Sequence, residues 1–222
     1  MADIDATLAA PSQLRHHFDD VEQQQESSLL GMWVFLLTEI MFFGGMFGSY
    51  TVYRNLYPDA FASTSHFMNV TLGGTNTAVL ICSSLTMALA VRAAQLGNKK
   101  HLILFLIFTL ILGTVFLVIK YFEYHEKWVD HHIPGPGFRY EDSRYFHQAQ
   151  ILFFLYFAMT GMHAMHMIVG AGLLTTLIVM AARNKFSALW YTPVEMIGLY
   201  WHFVDIVWIF LFPLLYLIGH TK

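Results

Sequence analysis

The chain has 222 residues, 56% of them hydrophobic and only 12% charged, with a formal net charge of -3. Soluble domains carry about 25% charge, so the balance excludes an ordinary soluble enzyme and points to a membrane protein. No basic run offers a nucleic-acid surface, and the single cysteine, Cys82, excludes an intrachain disulfide.

Residues 1–28 form a polar N-terminal tail with one arginine against six acids, so it reads as neither a secretion signal nor a transit peptide. Residues 29–222 read as a single transmembrane domain. A spanning helix needs about 20 largely apolar residues. Five stretches meet that length: Leu29–Tyr53, Val70–Ala94, Leu102–Glu123, Ile151–Ala182 and Ile197–Gly219. No strand-like alternation competes with them. The expected fold is all-α, an integral membrane bundle of five transmembrane helices. Arg92, Lys99, Lys100, Arg183 and Lys185 lie in the two short loops on the side of the N-terminus, which predicts N-terminus inside and C-terminus outside.

The first span carries Glu39 near its middle. An ionisable group at the centre of a bilayer costs at least ~2.5 kcal/mol on insertion scales, so it needs a partner or a task. Two readings stand side by side: a proton-exchanging or headgroup-contacting carboxyl, and a neutral glutamate that fastens one helix to another. Gly44 and Gly48 follow with the spacing that lets a neighbouring backbone approach closely. In the third span, Lys120 and Glu123 lie near the predicted outer end, where both can snorkel to an interfacial belt beside Tyr121, Tyr124 and Trp128.

The segment Glu126–His147 is the one long loop, broken by Pro134-Gly135-Pro136-Gly137. Its histidines, His131, His132 and His147, lack regular metal-ligand spacing, which favours a polar surface loop. The fourth span places His163 and His166 three residues apart on one helix face. With His202 on the fifth they could clamp a haem iron, but hydrogen bonding across helices is the better reading. His202 and Asp205 also lie three apart and share a face, which must look at protein or water rather than lipid tails. Trp201 and Trp208, flanking them, are placed with Lys120 and Glu123 at the membrane interface. No nucleophile triad, phosphate loop or Cys-His ligand set appears, and buried polar groups without substrate chemistry suggest part of an assembly.

These residues resemble a family, subunit III of the haem-copper respiratory oxidases, in its five-helix bacterial form. The blocks that carry the resemblance run in order from Leu29 to Gly219. They are the Thr38-Glu39-Ile40-Met41-Phe42-Phe43 strip, Asn76-Thr77-Ala78-Val79-Leu80, Glu123-Tyr124-His125-Glu126, Gly161-Met162-His163-Ala164-Met165-His166 and Trp201-His202-Phe203-Val204-Asp205-Ile206-Val207-Trp208. The resemblance implies a subunit without a redox centre or metal of its own, the haems and copper residing in partner subunits. It implies direct contact with subunit I, association with subunit II and a small subunit IV, bound phospholipid, support of proton uptake, and a bacterial cytoplasmic membrane location. Glu39 matches the family's intramembrane glutamate, and His163, His166, His202 and Asp205 match its buried polar positions. The longer family form has seven helices with the glutamate on the third; here it is on the first. The resemblance leaves open a quinol oxidase subunit or an accessory subunit of a nitric oxide reductase. From other classes, a b-type cytochrome and a small proton transporter remain as rivals.

Overall fold

The computed structural model describes residues 15, 18–65, 67–140, 143–188 and 190–217. Most of the polar tail, Glu141, Asp142 and the expected end of the last span at Gly219 lie outside the described residues. Five helices are long and apolar enough to cross a membrane, as the sequence predicts: α1 (Val21–Leu56), α3 (Val70–Gln95), α4 (Lys99–Val129), α5 (Phe146–Ala182) and α6 (Thr192–Phe212). A sixth, α2 (Pro58–Ser65), is short and lies between α1 and α3. It begins with Pro58 and Asp59, a proline and an acid in the first turn, both suited to a helix start.

Several helices overrun their predicted bounds, and polar side-chain caps set the starts of α1, α3 and α4. Asp20 accepts from the Gln23 amide at 2.7 Å and starts α1 eight residues before the first apolar run. Asn69 and Asn98 cap α3 and α4 in the same way. Gly97 joins these two antiparallel helices in a left-handed turn (φ 67°), and its amide donates to Ala94 O while that of Asn98 donates to Ala93 O. Lys99 closes the same end by donating to Ala182 O at 2.9 Å and Asn184 Oδ1 at 2.6 Å.

At the opposite end, α4 continues to Val129 and shortens the expected loop. Lys127, read as a loop charge, sits inside that helix and donates to Phe67 O at 2.6 Å. Tyr140 meets Ser63 and Thr64 of α2, fastening the Pro-Gly segment across the bundle.

The central helix is α6, buried on most of its circumference and packed against α1, α3 and α5. A helix that is apolar all round belongs in an interior. By contrast α1 buries only Leu36, Phe43 and Tyr50, one residue every seven, so a single narrow seam attaches it. Beyond Phe212, Pro213 opens a π-helical turn, Pro213–Leu217, that carries Tyr216 inward. Tyr50 of α1 donates to Leu214 O of that turn at 2.7 Å.

Candidate functional site

The polar groups singled out in the spans separate into three places. The first joins α1 to α5. Glu39 Oε2 lies 3.1 Å from His166 Nε2, and the two side chains remain 19% and 15% exposed. His166 Nδ1 is 2.9 Å from Met162 O, one helical turn back. A carbonyl only accepts, so Nδ1 carries a proton and donates. Nε2 then either accepts from a protonated Glu39 or, protonated itself, donates to an ionised Glu39. In both arrangements one proton lies between Oε2 and Nε2. Phe43 and Tyr200 flank the imidazole, and Tyr200 Oη donates to His166 O at 2.9 Å. Both of the readings given to Glu39 fit this geometry: its carboxyl ties two helices, and it keeps an exposed side next to an imidazole.

The second place corrects an expectation. Lys120 and Glu123 are not interfacial; they are 3% and 0% exposed. The reason is the length of α4. Its end at Val129 lies nine residues past Lys120, about 14 Å along the axis, too far for a lysine to reach the helix end. The pair closes on itself at 2.9 Å. Lys120 Nζ also donates to Tyr216 Oη at 2.8 Å and Tyr156 Oη at 3.2 Å, which uses all three of its donors. Both phenols donate in turn to Glu123 Oε1, from 2.7 Å for Tyr156 and 2.6 Å for Tyr216.

The tyrosines of this cluster were missed. A signal for Tyr156 existed, since Tyr156, Thr160 and His163 stand at i, i+4 and i+7 on one face of α5. Thr160 donates to Tyr156 O at 2.7 Å and meets the Tyr124 hydroxyl, which extends the network.

Trp201 and Trp208 are likewise not interfacial, both being 0% exposed. Trp201 Nε1 donates to Ser83 Oγ at 3.0 Å, and Trp208 Nε1 donates to Thr77 Oγ1 at 3.1 Å. Satisfied indoles need no interfacial water. The close-packing glycines are also different ones. A Cβ at Gly44 or Gly48 would meet nothing within 4 Å, whereas one at Gly113 would lie 2.7 Å and one at Gly170 2.8 Å from the Trp201 ring. Two glycines on α4 and α5 thus hold Trp201 between them, and Gly44 instead lines an open groove between α1 and α6.

His163 stays apart from His166. Its ring is buried against Phe116 and Trp208, with centroids 5.3 and 5.2 Å away. His202, in the third place, does not bond to Asp205; its Nδ1 is 2.7 Å from Ser84 Oγ of α3. The three imidazoles therefore address three different neighbours and do not converge on a shared site. Among the described residues no group of three or more His, Cys, Asp or Glu is arranged to hold a metal ion. Asp205, Ser84 and His202 line a second groove, between α3 and α6.

A family model described as cytochrome c oxidase subunit III matches residues 12–220. The chain belongs to the cytochrome c oxidase subunit III family. It is 32% identical over 191 residues to cytochrome c oxidase subunit 3 of Corynebacterium diphtheriae, covering 85% of this chain and 87% of that one. It is 30% identical over 214 residues to cytochrome bo(3) ubiquinol oxidase subunit 3 of Pseudomonas aeruginosa, covering 96% and 95%. Against cytochrome c oxidase subunit 3 of Loxodonta africana it is 30% identical over 206 residues, covering 86% of this chain and 70% of that longer one. As a subunit III family member with five apolar helices, the chain is a multi-pass membrane protein.

Proposed function

We propose that the chain is the non-redox accessory subunit III of a bacterial cytochrome c oxidase complex. In this reading it lies in the cytoplasmic membrane with its N-terminus inside and its C-terminus outside, and residues 29–222 act as one transmembrane domain. It stabilises subunit I, which with subunit II holds the haems and copper that pass electrons to oxygen. The observation that carries its own chemical part is the Glu39–His166 pair, one proton held between two titratable atoms at a partly open helix seam. Such a pair supports proton uptake by accepting and releasing that proton without a net charge being stranded in lipid.

The groove between α1 and α6, about 500 Å³ and lined by Trp33, Phe43, Phe47, Phe203 and Phe210 among others, supports the binding of a phospholipid acyl chain. A second reading, subunit III of a quinol oxidase, is favoured by the Pseudomonas relative, whose identity to this chain is similar to that of the cytochrome c oxidase relatives.

Purification of the complex through an affinity tag on this chain tests both. A co-purifying haem protein that oxidises reduced cytochrome c supports the first reading, and one that oxidises only ubiquinol supports the second. A tagged chain that carries no haem protein with it overturns both.

A further inference from the structure

Asp205 is buried to 2% exposure, and neither of its oxygens meets a hydrogen-bond donor among the described residues. The Ser84 hydroxyl is the side-chain group that acts on this carboxyl, but it lies outside hydrogen-bond geometry to either oxygen and sits 2.7 Å from His202 Nδ1. All three side chains line the groove between α3 and α6, a cavity of about 380 Å³. The rest of that groove is apolar, and Ile81, Leu85, Ile206 and Ile209 at its edges are exposed.

The groove is at mid-depth. Ser84 stands about 17–21 Å from either end of α3 along the helix axis, beyond the reach of lipid headgroups. A carboxyl placed there calls for a donor that comes with the occupant. An acyl chain brings none. A second copy of this chain packed through the same patch would bring two carboxyls together and supply no donor beyond their own protons.

We infer that the α3–α6 groove seats a transmembrane helix of a partner polypeptide, which presents a hydrogen-bond-donating side chain to Asp205. This rests on the reading of the chain as one subunit of a membrane complex, and it adds which face meets the partner. Side chains that hydrogen-bond across helices are a common adhesive between spans. The apolar rim formed by Ile81, Leu85, Ile206 and Ile209 supplies the packing around that bond. His202 also lines the groove between α1 and α6, but that groove contains no carboxyl, so the donor's place is on the α3 side.

The test uses the intact complex in native membranes, with a photoreactive amino acid placed at Leu85 or Ile209 and, on other faces, at Val118 or Phe154, which are exposed as well. The groove positions are expected to cross-link to one partner polypeptide, and the control positions to lipid. Cross-links from Leu85 and Ile209 to lipid alone, or to a second copy of this chain, overturn the inference while the complex still purifies.

Replacement of the carboxyl is the second measurement. Asp205→Leu is expected to lower retention of the partner about tenfold at equal amounts of inserted subunit, the equivalent of about 1.4 kcal/mol. Asp205→Asn, which keeps an acceptor oxygen, is expected to stay within about threefold of the parent. Full retention in Asp205→Leu overturns the inference. A chain that purifies without any partner overturns the underlying reading instead.

Discussion

Two acid–base pairs lie within the spans among the described residues, and they differ in how completely they are closed. Around Lys120 and Glu123 every donor and acceptor is matched within the protein, by two tyrosines from other segments, and neither member of the pair is open to the surroundings. Glu39 and His166 have only each other across the helix seam and remain partly exposed. A saturated network can change neither charge nor partner without breaking several bonds, so it fixes α4, α5 and the C-terminal turn relative to one another. A pair with one shared proton and an open side can exchange that proton at small structural cost. Charge inside a membrane helix therefore does not by itself mark function; under the proposed function the open pair is the working group and the closed one a fastening.

The largest test of this contrast is Glu123→Ala, which strands the Lys120 ammonium in the interior. The expected loss is about 3–5 kcal/mol, read as earlier thermal unfolding of the subunit in detergent. The paired replacement Lys120→Met with Glu123→Leu is expected to cost less than Glu123→Ala alone. If the double variant is the worse of the two, the cluster is not the closed unit described.

Tyr216→Phe removes a donor to Glu123 and an acceptor for Lys120, and about 1.5–3 kcal/mol should be lost in the same assay. Gly170→Ala drives a methyl against Trp201 and is expected to cost about 1–3 kcal/mol, with Gly44→Ala close to neutral beside it.

The smallest stability change is expected at the open pair. Glu39→Gln should shift stability by less than about 1 kcal/mol, since hydrogen bonds between membrane helices average about 0.6. Its effect belongs to function. The assembled oxidase is expected to lose activity progressively over many turnovers, and a steady rate would reduce Glu39 to a helix fastener.

The number and place of the spans along the chain were legible in the sequence, and the direction each face points was not. Runs of apolar residues located all five spans, because the bilayer core demands them regardless of what each face touches. The same uniformity hides the azimuth: Trp201 and Trp208 look like interfacial anchors by residue type, yet both face inward. Lys120 and Glu123 seemed close to a surface because Glu126, Lys127 and Asp130 suggested that the helix was ending, whereas it runs on through Val129. Glu39 and His166 could be nominated separately, since each violates the apolar pattern. Their pairing depends on how α1 leans against α5, which no local spacing encodes. Gly44 and Gly48 carry a recognised spacing but meet no neighbour among the described residues, whereas Gly113 and Gly170, which do face one, have no second glycine four residues away.

The π-helical turn at Pro213–Leu217 has a consequence in time as well as in space. Of the four side chains in the Lys120 cluster, Tyr216 is synthesised last, 93 residues after Glu123. Until it arrives, Glu123 lacks one of its two phenols and Lys120 one of its three acceptors, in helices already long enough to have entered the membrane. The backbone that carries Tyr216 is also the one that Tyr50 of the first helix grips at Leu214. A nascent chain that stops short of this turn is thus left with an unsettled interior and an unlatched first helix. One five-residue turn therefore closes the buried cluster and latches the first helix at once.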